Sequence, residues 1–167
     1  MRTLFLATLV AAAIAVPLTA SADAGGVGLG VAAGADISKS HNIDTNAQFS
    51  WSFFVDIPLM PTFYITPQTA IYELKLGPGI DKKALTDVDL NFKFLVPLGF
   101  ATLGAGLTAG LTTGLGDYLG HYGALAYFSL NLVANLDAFA MVQYKRLQYG
   151  GQNIDNIHGY LGGMWKF

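Results

Sequence analysis

From Val27 onward, apolar and polar residues alternate with a two-residue period in eight segments of about ten residues each, separated by turn-forming residues. In the first, Val27, Leu29, Val31, Ala33, Ala35 and Ile37 share one face, and Gly28, Gly30, Ala32, Gly34 and Asp36 the other. The second sets Phe49, Trp51, Phe53, Val55 and Ile57 against Gln48, Ser50, Ser52 and Asp56. Phe63, Ile65 and Ile71 oppose Tyr64, Thr66, Gln68 and Tyr72 in the third; Val88, Leu90, Phe92 and Phe94 oppose Asp87, Asp89, Asn91 and Lys93 in the fourth. The fifth alternates Ala101 to Leu111 with Thr102, Gly104, Gly106, Thr108, Gly110 and Thr112. Ala126, Phe128, Leu130 and Leu132 define the sixth, Ala138, Ala140, Val142 and Tyr144 the seventh, and Ile157, Leu161, Trp165 and Phe167 the eighth. A helix would scatter these polar groups around its circumference, so the pattern predicts strands.

The connections alternate too. Pro58 to Pro61, Pro97 to Gly99 and Ala134 to Asn135 are short, whereas Ser38 to Asn46, Lys75 to Ala84, Thr113 to Gly120 and Tyr149 to Asn153 are longer and more polar. An even number of strands with short turns at one end and longer loops at the other predicts an all-β fold, an eight-stranded antiparallel up-and-down transmembrane β-barrel.

Composition decides which face looks outward. Hydrophobic residues make up 53% of the 167 and charged residues only 12%, too few to solvate the outside of a soluble barrel. The polar face is instead rich in Gly, Thr, Ser, Asn and Gln with single charges, which suits a narrow interior. Trp51, Phe63, Phe94, Tyr144, Trp165 and Phe167 sit towards strand ends on the apolar face, where an interfacial girdle belongs. The net charge of −2, without a basic run, gives no footprint for nucleic acid, and zero cysteines exclude disulfides and thiol chemistry.

Residues 1–22 read as a secretory signal: Arg2 is the positive region, Leu4 to Val16 the apolar core, and Ala20-Ser21-Ala22 the small-x-small cleavage site. Cleavage after Ala22 or Ala24 is equally readable, and residues 23–167 form the barrel domain.

The last eight residues, Tyr160 to Phe167, resemble the C-terminal signal of outer-membrane barrel proteins, with Tyr160, Gly162, Trp165 and Phe167 in its polar, glycine and aromatic places. Length and layout are similar to small eight-stranded barrels of the OmpX type and the membrane domain of the OmpA type. The resemblance implies a bacterial outer-membrane location after secretion across the inner membrane, and recognition of the last strand by the barrel assembly machinery. Outer-membrane lipids are then the surroundings of a chain expected to be a monomer.

Candidate chemistry is sparse. Gly28-Leu29-Gly30-Val31-Ala32-Ala33 has the spacing of a dinucleotide fingerprint but runs straight on as a strand, so its small residues are read as lumen positions. His41, His121 and His158 lack metal-ligand spacing, and the first two fall in or beside predicted loops. Small barrels of the lipid A deacylase type carry His and Ser two residues apart; here Gly123 and Tyr160 stand in those places. No catalytic residue, metal ligand or cofactor site is therefore expected. The interior charges Asp36, Asp56, Asp89, Lys93, Asp137, Lys145, His158 and Lys166, with Gln143, are expected to satisfy one another in a lumen too narrow for a pore. Pro67 lies mid-strand on the outward face and must remove a ladder hydrogen bond. That makes it a local bulge or a lateral seam of the kind that OmpW-type barrels use for hydrophobic solutes. The leading functional expectation is a structural, membrane-integrity role; the alternative is passage of a small hydrophobic solute or lipid past Pro67.

Overall fold

A computed structural model describes residues 26–40, 43–44, 48–74, 83–149 and 151–167; the signal segment and His41 lie outside them. The period-two alternation produces eight long strands: β1 (Gly28–Ser40), β3 (Gln48–Met60), β4 (Phe63–Leu74), β5 (Lys83–Pro97), β6 (Ala101–Thr113), β7 (Leu119–Val133), β8 (Leu136–Tyr149) and β9 (Gln152–Lys166). A two-residue β2 (Ile43–Asp44) folds back on the end of β1. Each long strand pairs antiparallel with the next, and β1 pairs with β9, so the sheet closes into a barrel without an open edge.

The registers fix its shape. Following paired residues from Gly30 through Phe54, Gln68, Asp89, Gly110, His121, Leu147 and Ile154 returns to β1 at Ser40, one step beyond the Lys39–Asp155 pair. That stagger is ten residues, from Gly30 to Ser40. With eight strands at ~4.8 Å spacing and ~3.3 Å rise, a ten-residue stagger requires a strand tilt of about 40° and a backbone radius near ~8 Å. Such an interior holds side chains and little else.

The faces divide as the alternation predicts. Trp51, Phe53, Phe94, Leu107, Val142, Leu161 and Trp165 are exposed on the outside, while Asp36, Ser52, Asp87, Asn91, Lys93, Gln143 and His158 are buried in the lumen. Strands run past the predicted segments, most of all β7, which begins at Leu119 rather than Ala126. The reason is visible in side-chain type. At the barrel ends lumen positions become apolar (Leu85, Leu95, Leu147, Ile154), and in the first half of β7 Leu119 and Leu125 flank His121 and Gly123 on the inward face, which blurs the alternation.

Register shifts occur between Pro58 and Met60 and between Asn131 and Val133, both beside short turns. Pro67 causes no bulge. On its β5 side the ladder is continuous through Pro67–Leu90. On its β3 side, pairing stops after Phe54–Gln68 and resumes in the same register at Ile57–Ile65. The missing N–H thus interrupts the ladder without displacing the strand.

Candidate functional site

Glycines make room for the lumen's large side chains. A Cβ on Gly30 would strike the Phe54 ring, one on Gly34 the Gly159 carbonyl and Tyr160, and one on Gly110 would lie 2.7 Å from Asp89 and 2.8 Å from His121. β1 and β6 therefore present nearly bare backbone, over which side chains from β3, β5, β7 and β9 lean.

The resulting interior is layered. At the end bearing the short turns, a vestibule of about 230 Å³ is lined by Asp56, Tyr64, Tyr127, Asp137, Met164 and Lys166 among others. Lys166 Nζ reaches Asp137 at 2.6 Å, and Asn131 Nδ2 donates to the same carboxylate at 3.0 Å. Deeper, Lys93 Nζ donates to both Asp56 oxygens at 2.5 and 2.7 Å, and Thr66 Oγ1 donates to Asp56 at 2.7 Å. The Lys93 ammonium also sits 5.0 and 4.7 Å from the Phe54 and Tyr127 ring centroids, within cation–π range.

An amide layer crosses the barrel at mid-height. Gln68 on β4 and Gln143 on β8 bond reciprocally across the lumen, at 3.2 Å and 2.8 Å. Asn91 Nδ2 donates to Gln68 at 2.7 Å, Gln143 Nε2 to Asn91 at 3.2 Å, and Gln68 Nε2 to Ser52 Oγ at 2.6 Å. The aromatic pairs Phe54–Phe139 and Tyr127–Phe139 fill space on its short-turn side, with centroids 5.1 and 5.7 Å apart.

Above it lies the densest charge cluster. Lys145, fully buried, bridges Asp87 at 2.8 Å and Asp89 at 2.6 Å. His121 Nε2 contacts Asp89 at 2.5 Å and its Nδ1 contacts Thr112 Oγ1 at 2.9 Å, while Thr112 gives its one proton to Asp87 at 2.7 Å. His121 thereby links Asp89 to Thr112, and Thr112 links it on to Asp87, in one continuous buried network with Lys145. The three ligand-type groups Asp87, Asp89 and His121 lie within 4.8 Å of one another. Lys145 Nζ bridges the two carboxylates among them, so the three groups form part of an ion-pair network. Beyond it Tyr72, Leu85, Leu147 and Ile154 form an apolar cap towards the long loops.

The opposite wall differs. Asp36 and His158 face each other across the β1–β9 ladder, with Nδ1 3.3 Å from the carboxylate. His158 stacks on Tyr160 at 5.9 Å and meets Tyr72 edge-on at 4.9 Å. Both His158 nitrogens and Asn156 Oδ1 make no hydrogen bond with any described group, and the Ser50 and Tyr160 hydroxyls approach one another without a well-formed bond.

The predicted interior residues thus lie together in the lumen, and most are joined in these networks. Sequence reasoning placed His121 beside a loop; it lies inside β7, where its polar neighbours Asp89 and Thr112 were on the predicted lumen face. Asp87 shares that face, and the alternation alone does not distinguish it from its neighbours; its partners Lys145 and Thr112 do. In the terminal segment, Tyr160 is buried inside and Trp165 and Phe167 are exposed outside. Gly162 has a structural demand of its own, because a Cβ there would strike the Val31 carbonyl and come within 2.8 Å of Ala32. Pro67 is half-buried on the outward side, and the seam beside it is tied from within by the Thr66–Asp56 and Gln68–Ser52 bonds.

A closed eight-strand antiparallel barrel with an apolar exterior and a polar interior is the architecture of small outer-membrane proteins. Neisserial surface protein A shares it with a TM-score of 0.70 at 16% identity, over 84% of this chain and 97% of that one. OprG from Pseudomonas aeruginosa matches with a TM-score of 0.53 at 12% identity, over 86% and 97% of the two chains. Ail, the attachment invasion locus protein of Yersinia pestis, gives 0.51 at 12% identity, over 84% and 99%. At these identities the likeness concerns the fold. No protein-family model matches the chain, and no curated protein sequence matches it either.

Proposed function

We propose that this chain is an integral protein of a bacterial outer membrane with a structural, membrane-integrity role and a side-chain-filled lumen that conducts no solute. The observation carrying this reading is the reciprocal Gln68–Gln143 bond across the lumen, backed by ion pairs on either side. Opening a path would separate buried charges from their partners, at several kcal/mol for each one stranded. The outer wall meets lipid, the signal segment directs secretion, and Tyr160, Gly162, Trp165 and Phe167 present the last strand to the assembly machinery. The chain acts without catalysis or cofactor, as a monomer.

The test is removal of the protein from the cell. Uptake of a hydrophobic fluorescent probe should rise and return to normal on re-expression; unchanged uptake in its absence would overturn the integrity role. A second reading, lateral passage of a hydrophobic solute or lipid, is favoured by the ladder interruption at Pro67. Under that reading Pro67→Val lowers uptake of hydrophobic solutes, and unchanged uptake removes it.

A further inference from the structure

One charged group on the outer wall has no role in the lumen. Arg146 on β8 and Asp155 on β9 are cross-strand partners whose side chains point outward, 40% and 38% exposed. Between Trp165 and Asp155 the outward face of β9 carries Gly163, Leu161, Gly159 and Ile157, with no polar side chain. Those ten residues, at ~3.3 Å each and a tilt of about 40°, span ~25 Å, the height of the apolar band on a membrane barrel. Trp165 marks one edge of that band. Arg146 and Asp155 mark the other, level with the headgroups of the outer leaflet.

The guanidinium there is held in place with part of its binding capacity unused. Arg146 Nε and Nη2 donate to the two oxygens of Asp155 at 2.7 and 3.1 Å, and Tyr144 Oη donates to the same carboxylate at 2.7 Å. The Tyr144 ring lies 5.9 Å from the guanidinium. Side-on pairing uses one edge of the fork and leaves the Nη1/Nη2 edge, with three N–H groups, directed away from Asp155. Tyr122, 65% exposed, is the cross-strand partner of Arg146 on β7 and adds a second phenol.

We propose that Arg146, positioned by Asp155 and Tyr144 and flanked by Tyr122, binds the phosphate group of an outer-leaflet lipid headgroup. An Arg fork matches a phosphate through two parallel N–H···O bonds, and the neighbouring apolar wall accepts the acyl chains. Asp155 serves to orient the guanidinium, which spares the lipid the entropy of ordering a long side chain. The inference rests on the outer-membrane reading above.

The test uses the full-length barrel, folded into phosphatidylcholine nanodiscs doped with either phosphorylated or dephosphorylated lipid A. Retained lipid is counted by native mass spectrometry after release. The wild-type barrel should retain the phosphorylated form about fivefold better, the factor of roughly 1 kcal/mol for one basic residue at an anionic surface. Arg146→Gln should erase that preference. Arg146→Lys, which keeps the charge without the fork, should retain only part of it. Inorganic phosphate at millimolar concentration should not compete if the acyl chains contribute. Equal retention of the two lipids by the wild type, an undiminished preference in Arg146→Gln, or full competition by inorganic phosphate overturns the proposal. A chain that does not insert into the bilayer at all would instead count against the outer-membrane reading.

Discussion

Two walls of one lumen solve the same problem differently. On the β5–β8 side, Asp87, Asp89, Lys145, His121 and Thr112 close every charge with a partner. On the β9–β1–β3 side, Ser50, Asn156, His158 and Tyr160 are equally buried, yet several of their polar atoms have no bond to a described group. The first wall is ordered by charge, the second by shape: Tyr160 and His158 stack, and Gly34 clears the space beside them. The two walls should therefore respond differently to substitution: removing a bonded group leaves its partners unsatisfied, whereas removing an unbonded one takes away a desolvation cost.

This contrast can be broken in graded steps. The largest effect belongs to Lys145→Met, which removes the buried cation shared by Asp87 and Asp89 and leaves them only their hydrogen-bond partners Thr112, Tyr72 and His121. Urea titration of the folded barrel in lipid vesicles should show a loss of about 3–5 kcal/mol. A loss below about 1 kcal/mol would mean that the cluster is satisfied by something other than Lys145. Gly162→Ala comes next, since its methyl would meet backbone on β1 that cannot swing aside. Overpacking of this kind costs about 1–3 kcal/mol. The heat-modifiable gel shift should show slower folding even in pure lipid, where no assembly machinery is present; wild-type behaviour there would assign Gly162 to recognition alone. Tyr160→Phe is the smallest. It removes a hydroxyl that makes no well-formed hydrogen bond while keeping the ring stack, so stability should change by less than about 0.5 kcal/mol or rise slightly. A loss above about 1.5 kcal/mol would show that the second wall is bonded after all.

The sequence made the faces of the strands readable over their alternating stretches, because a two-residue period assigns each side chain to lipid or lumen once one is placed. Closure into a barrel followed from the even number of segments and the alternating loop lengths. Pairing inside the lumen was not readable. The ten-residue stagger brings Gln68 beside Gln143 and Lys145 beside Asp87, residues 75 and 58 positions apart, and nothing local encodes the stagger. His121 escaped because β7 loses its alternation between Leu119 and Leu125, where Leu, His, Gly and Leu all point inward. At Pro67 the sequence implies a lost ladder bond and suggests a bulge. Its consequence, an interruption in unchanged register rather than a bulge, depended on β5 holding the other side of the strand.

The central claim is that the lumen is a bonded core rather than a passage. Planar-bilayer recording of the purified barrel tests it most directly. The bonded core predicts a quiet trace with no stable steps, and the same trace across the range of salt concentrations used for porins. Long-lived, uniform conductance steps from the wild-type protein would contradict it, because ions cannot pass at that rate while Gln68 and Gln143 remain joined across the centre.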